Sequence, residues 1–339
     1  METKPRGSRQ WRRFVLHWSL IFSLLVAGLM YIIGMPGKSY SGPFQPLSPD
    51  ETELHDRLKA HVSLLAGHIG ERNIWHYAEL VTTADYIRDT FKELGYVPDI
   101  QAYQSEGRTV KNLVAELVGT SVPREIVVVC AHYDSVLGSP GANDNGSGVA
   151  AMLELARLLK ERKPGRTVRF VAFVNEESPF YYTEEMGSRV YATSARERGE
   201  RITAMLSLET IGYYSDAPGS QHYPFPFSFF YPDIANFIGF VGNLSSRSLV
   251  HGALDAFRRH TAFPSEGVAA PGWITGIGWS DHWSFWRVGY PAIMITDTAL
   301  FRYAHYHSPT DTPDKIDYAR TARVVKGLSH VVAALANEQ

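Results

Sequence analysis

The run Ile126-Val127-Val128-Val129-Cys130, followed by His132-Tyr133-Asp134-Ser135 and then Gly141-Ala142-Asn143-Asp144-Asn145-Gly146-Ser147-Gly148, decides how this chain is read. The first segment is continuously apolar, the signature of a strand buried on both faces. Residues 149–160, rich in Ala and Leu, predict a helix. Between strand and helix lies a polar, Gly-rich cluster at the strand's C-terminal end, where open α/β sheets place their sites. A His-x-Asp pair next to a turn bearing a further carboxylate points to a metalloenzyme.

Working outward, residues 50–66 and 77–94 predict helices, the second with Leu80, Ala84, Ile87 and Phe91 on one stripe. Strands are expected at 112–117, 125–131, 168–174, 202–208 and 291–296, and helices at 184–198, 246–259 and 319–335. This alternation predicts an α/β fold with a mostly parallel central sheet and helices on both faces. No internal repeat or second domain is visible, so residues 50–339 read as one catalytic domain. Residues 213–279 crowd Pro, Gly and aromatics, as in Tyr223-Pro224-Phe225-Pro226-Phe227. They read either as an insertion walling a pocket or as a packed surface elaboration.

A chain of 339 residues, 45% hydrophobic, can bury a sizeable core, and its net charge of -2 excludes a broadly basic surface of the kind that binds nucleic acid. The single cysteine, Cys130, excludes an intrachain disulfide and a thiolate-ligated zinc site. Residues 14–34 carry no Lys, Arg, Asp or Glu and are long enough to cross a hydrocarbon core as a helix. Lys4, Arg6, Arg9, Arg12 and Arg13 precede the run, and the first cation after it is Lys38. That asymmetry predicts a cytoplasmic segment (1–13), a transmembrane anchor (14–34) and a single-pass protein of the cytoplasmic membrane. The catalytic domain would then be extracytoplasmic, periplasmic or extracellular. A cleaved signal peptide is the rival reading, but no Ala-x-Ala site follows. Residues 35–49, rich in Gly, Pro and Ser, read as a linker.

Each strand that follows ends in chemistry. Because residues i and i+2 of a strand share a face, Asp134 could accept the spare ring N–H of His132. Asp144 reads as a metal ligand presented by Gly-rich backbone or as an N-cap of the next helix. The strand at 168–174 leads into Asn175-Glu176-Glu177, where one carboxylate can bind a cation while its neighbour stays free as a general base. The strand at 202–208 leads into Glu209, and the loop Tyr306-His307-Ser308-Pro309-Thr310-Asp311-Thr312-Pro313 adds His307. Alone, each is weak. Together His132, Asp144, Glu177, Glu209 and His307 form a nitrogen and oxygen set suited to zinc in a hydrolytic site. Five ligands are too many for one catalytic zinc, but they serve two zinc ions per chain if one carboxylate bridges.

These residues resemble the M28 family of zinc peptidases over roughly residue 50 to the C-terminus. The resemblance implies a zinc-exopeptidase type of fold, with Asp144 bridging two zinc ions. His132 and Glu209 would complete one site, and Glu177 and His307 the other. It further implies Glu176 as general base, Asp134 as the partner of His132, and a cis peptide at Asp144-Asn145. Tyr306 would donate to the developing oxyanion. Ser280-Asp281-His282 resembles a recurrent segment of the family, with Asp281 and His282 as candidate substrate residues and Asp281 facing a free N-terminal amine. Two departures stand out. Many members carry Asp where this chain has Glu209, and the space between Leu94 and Val127 is too short for a protease-associated domain.

The implied activity is a zinc-dependent exopeptidase, an aminopeptidase in the first place, acting on peptide substrates and tied to the membrane by the N-terminal helix. A carboxypeptidase of this type would need cationic groups for the substrate carboxylate, and no convincing pair stands out. Glutaminyl cyclases share the His-x-Asp strand but usually replace the Asp144-Asn145-Gly146-Ser147-Gly148 turn. A non-catalytic receptor or scaffold ectodomain would typically lose ligands or the base.

Overall fold

The computed structural model describes residues 7–337, with side chains described from Trp11 onward. Eight strands make one sheet: β1 (Asp99–Ser105), β2 (Arg108–Leu117), β3 (Val122–His132), β4 (Arg166–Phe173), β5 (Arg201–Glu209), β6 (Ile238–Gly242), β7 (Ser265–Ala269) and β8 (Ala292–Thr296). Their order is β1-β2-β4-β3-β5-β8-β6-β7. The centre, β4-β3-β5-β8, is parallel, as expected. Antiparallel pairs at β1–β2, β2–β4 and β6–β8 make the flanks mixed.

Alternation along β3 divides the core between two layers. Val127, Val129 and Ala131 face the helices α2 (Pro49–Val62), α3 (Tyr77–Glu93), α4 (Gly148–Leu159), α6 (Arg247–His260) and α9 (Tyr318–Asn337). Ile126, Val128 and Cys130 face α5 (Gly187–Glu197) and α7 (His282–Arg287). Both faces are covered, which is why β3 reads as unbroken apolar sequence. The short α8 (Ala299–Arg302) precedes the loop that carries His307.

Several elements depart from the sequence reading for local reasons. The helix expected at 50–66 is α-helical only to Val62 and continues as a wider π turn over Ser63–Ile69, ended by Gly70 at φ 84°. Its start is set by a capping box between Ser48 and Glu51, with Pro49 in the first turn. The helix expected from 184 begins at Gly187. Strands β1, β6 and β7 were not anticipated. β1 is an edge strand with mostly exposed side chains, so it lacks an apolar signal. β6 and β7 lie inside the 213–279 stretch and are diluted by glycine. A Cβ at Gly242 would approach the Val250 side chain to 2.6 Å, and one at Gly267 would approach Leu254 to 2.7 Å. Close packing of α6 on the sheet therefore demands glycine where a β-branched residue would have announced the strand.

The N-terminal helix α1 (Gly7–Ile33) includes a 23-residue stretch, Trp11–Ile33, long and apolar enough to cross a membrane. At 1.5 Å per residue it spans about 35 Å, against roughly 30 Å of hydrocarbon. Leu16, Phe22, Leu24 and Leu25 are exposed, free of contact that would bury them in the domain. The expected linker at 35–49 lies along the domain rather than hanging free. Arg258 donates to the carbonyl of Pro36 at 2.7 Å, Ser265 N–H to Ser39 Oγ at 2.9 Å, and Phe44 stacks on Phe263.

Candidate active site

Parallel neighbours deliver their C-terminal ends to one edge of the sheet, and that is how distant residues converge. β3 ends at His132, β5 at Glu209, and β4 is followed within four residues by Glu176 and Glu177. His132 pairs with Phe173 in register, so the Glu pair begins just beyond it. The turn 142–147 follows Gly141 at φ 63° and holds Asp144, whose peptide to Asn145 is cis. A Cβ at Gly141 would strike the carbonyl of Asp144 and the side chain of Ser135, so only glycine permits this turn. The side chain of Asp144 does not cap α4. Beyond α8, the loop brings His307 over the same edge.

The carboxylate of Asp144 divides between two histidines. Its Oδ1 lies 3.3 Å from His132 Nε2, and its Oδ2 lies 3.0 Å from His307 Nε2. Glu209 Oε2 is 3.2 Å from His132 Nε2, and Glu177 Oε2 is 3.4 Å from His307 Nε2. Three trios have potential ligand atoms within 4.8 Å of one another: His132–Asp144–Glu209 and Asp144–Glu177–His307, which share Asp144, and His132–Glu176–Glu177. Glu176 falls only in the trio without Asp144, and its Oε2, 3.8 Å from His132 Nε2, lies farther from that atom than the oxygens of Asp144 and Glu209.

The electrostatics demand a cation here. Burial, reinforced by neighbouring carboxylates, pushes the carboxyl groups of Glu176 and Glu177 well above the usual range. Burial likewise raises Glu209. Asp144 is held low despite burial, because His132 and His307 lie against its two oxygens. Burial works against protonation of His132, but Glu209 and Glu176 outweigh it and raise its pKa. His132 Nε2, Asp144 Oδ1 and Glu177 Oε1 are buried atoms without a hydrogen-bond partner, and each belongs to a residue of these trios. Divalent metal bound among these residues would offset the repulsion among the carboxylates. The residues fit zinc.

Behind the ligands stands a second set of fixed contacts, only partly visible in the sequence. His132 Nδ1 lies 3.2 Å from the backbone carbonyl of Asp134 and 3.5 Å from its Oδ1. The Asp134 carboxylate mainly accepts the backbone N–H groups of Glu176 (3.2 Å) and Glu177 (3.1 Å), so it sets the Glu pair as well as the imidazole. Arg72, fully buried, donates to the carbonyls of Tyr133, Pro140 and Gly141, bracing the loop ahead of Asp144. Asp311 accepts the N–H groups of Asn143 and Asp144 and the hydroxyl of Tyr303. Ser280 Oγ donates to Glu209 Oε2 at 2.8 Å. Arg72 and Asp311 were missed because a lone charged residue in a loop carries no signal of burial.

Tyr306 stacks on His307 with ring centroids 3.9 Å apart, and burial pushes its hydroxyl well above the usual range. It lines, with Glu209, an apolar cavity whose other walls include Tyr223, Phe227, Val268 and Met294. The 213–279 stretch thus both walls a pocket and contributes two strands. Asp281 and His282 are both fully buried, and neither lines that cavity. Burial raises the Asp281 carboxyl to about 7 and lowers the His282 ring to about 4. His282 Nε2 bonds the carbonyl of Ile277 at 2.7 Å, and its ring meets Trp286 edge-on. The segment supports the site from beneath, through Ser280.

An α/β sheet with a convergent His and carboxylate centre at its strand ends defines a metallohydrolase. The sequence model of peptidase family M28 matches residues 112–332, and the chain belongs to that family. It is 39% identical to the uncharacterized protein YfbL of Escherichia coli K12 over 321 residues, covering 91% of this chain and 97% of that protein. A probable zinc metalloprotease of Leptosphaeria maculans, Lema_P086240, is 29% identical over 64% of this chain. This chain covers 55% of that protein's length. Among solved structures, the zinc aminopeptidase BSAP of Bacillus subtilis superposes with a TM-score of 0.66 at 18% identity, covering 84% of this chain and 95% of its own. A glutaminyl cyclase of Fimbriiglobus ruber superposes with a TM-score of 0.62 at 20% identity, covering 88% of this chain and 97% of its own. The fold class expected from the sequence is thus the one observed, and the activity is that of a peptidase, with zinc the metal its relatives point to.

Proposed function

We propose that this protein is an aminopeptidase working with two zinc ions. The observation that carries the proposal is the division of Asp144, with one carboxylate oxygen toward His132 and the other toward His307. A carboxylate so placed would serve both ions, one through each oxygen. His132, Glu209 and Asp144 would hold one ion, and Glu177, His307 and Asp144 the other. Bound there, the pair supplies Lewis acidity toward water and the scissile carbonyl.

The chain's own groups do the rest. Glu176, outside the two trios that share Asp144 and raised by burial, takes a proton from the attacking water and returns it to the leaving amine. Asp134 keeps Glu176 aimed by holding its backbone N–H. Tyr306 donates its hydroxyl to the oxyanion from the rim of the apolar cavity. That cavity is lined by Glu209 and Glu266 and by neither Lys nor Arg. It can accept an apolar side chain beside a free ammonium, and it offers no cationic partner to a substrate carboxylate. The 14–34 segment anchors the enzyme, with the domain from residue 50 onward outside the cytoplasm.

The test is direct. Purified chain with zinc is incubated with one peptide in free and N-acetylated forms, and products are followed by mass. Stepwise shortening of the free peptide alone supports the proposal. Trimming of both forms from the C-terminus would replace it with a carboxypeptidase. Loss of ammonia from a Gln-initiated peptide without shortening would replace it with a cyclase.

A further inference from the structure

We infer that the two loops forming the lips of the apolar cavity seat in the surface of the lipid bilayer, so that the active site opens at the membrane. This rests on reading α1 as an anchor. The helix leaves no slack before the domain begins. Arg247 donates to the carbonyls of Tyr31 (2.9 Å) and Gly34 (3.1 Å) and lies over the Tyr31 ring at 4.2 Å. Met35 packs against the core, and Arg258 holds Pro36. A helix that ends in hydrocarbon at Ile33 and is fastened one residue later keeps the adjoining surface of the domain among the headgroups.

The adjoining surface is the wall of the active site. Ile32 and Ile33, the last residues of α1, pack against the cluster that contains Phe227, Ile277 and Met294. The same three residues line the cavity beside Glu209 and Tyr306. The two loops that supply Phe227 and Ile277 also present large aromatics to solvent. Phe225 is 84% exposed, Phe229 is 75% exposed and Trp273 is 85% exposed. Phe225 and Phe229 touch edge to face and have no deeper partner among their aromatic contacts. Exposed aromatics clustered beside the end of a spanning helix match the interfacial layer of a bilayer, where an amphipathic ring is at home. The substrates favoured by such placement are peptides lying on the lipid surface with an apolar N-terminal residue.

The experiment uses the full chain in phospholipid vesicles, with and without lipids brominated on the acyl chains. Flotation after alkaline extraction comes first; failure to float would remove the anchor, and this inference with it. For vesicles that float, tryptophan emission is compared between the wild type and Trp273→Phe. The part of the emission lost in Trp273→Phe should fall by more than half with brominated lipid. Emission from Trp273 that is indifferent to bromine overturns the inference while leaving the anchor standing, as it also would if a second protein covered the patch. A second arm uses the triple variant Phe225→Ser, Phe229→Ser, Trp273→Ser, none of which lines the cavity. Hydrolysis of a water-soluble leucine anilide should stay within two-fold, while cleavage of a peptide tethered to the vesicle by a C-terminal acyl chain falls about ten-fold. Equal effects on the two substrates overturn it. The quenching arm stands even for a protein without peptidase activity.

Discussion

Asp311 holds the backbone N–H of Asp144 at 3.0 Å across 167 residues of sequence. Its other oxygen takes the N–H of Asn143 at 2.8 Å, and it sits four residues after His307. One carboxylate therefore ties the loop of one histidine to the turn that carries the shared aspartate.

Asp311→Asn should weaken zinc binding by about 10–100-fold, the usual cost of losing a group that orients a ligand. The amide keeps one acceptor but turns a donor toward a backbone N–H. A zinc-chelator competition titration reads the change, and unaltered affinity would deny Asp311 its positioning role.

Glu176→Gln should lower kcat by about 10²–10⁴-fold while zinc content is unchanged, because the residue moves protons and belongs to neither trio that shares Asp144. Glu177→Gln should instead lower zinc content. Activity and elemental analysis on the same samples separate the two.

Zinc should leave in two stages. The His307 side chain is 38% exposed and that of His132 only 1%, so chelator reaches the His307 side first. His307→Ala should abolish the early stage and reduce bound zinc from about two ions to about one, the number expected of a bridged pair. A single phase in the wild type would argue for one ion.

Arg72→Met should destabilise the fold by about 3–5 kcal/mol, since it removes a buried cation and strands four carbonyls. Arg72→Lys should recover little, because one ammonium cannot span all four. Denaturant midpoints decide this.

Acid should cost stability through His282. Burial holds its folded pKa at about 4, below the ordinary 6.5. Between those values the unfolded chain binds a proton that the folded chain refuses. Stability from this group is therefore complete above pH 6.5, falls as pH drops toward 4, and levels off below. The loss is on the order of 3 kcal/mol. His282→Gln should flatten that window in a pH series of unfolding curves.

How much of this was readable beforehand follows from where each signal lives. The centre of the sheet was legible because β3, β4 and β5 are buried on both faces and so must be apolar throughout. His132, Asp144, Glu177, Glu209 and His307 stood out because polar residues interrupt those runs at one kind of place, the strand exits. β6 and β7 were hidden, since tight helix packing at Gly242 and Gly267 replaced the usual β-branched signal. The burial of Ser280-Asp281-His282 was hidden because a polar motif looks exposed in sequence, and only the structure sets Ser280 against Glu209.

Periodicity and the ends of apolar runs are local properties, so the sequence by itself determined the α/β class, the candidate ligands and a helix able to span a membrane. The pairing of ligands into two trios depends on which strands lie side by side and in what register. The fastening of α1 to the cavity wall depends on contacts between residues more than two hundred positions apart. Those were decided only by the tertiary structure, because distances across a fold are not written in the order of residues along it.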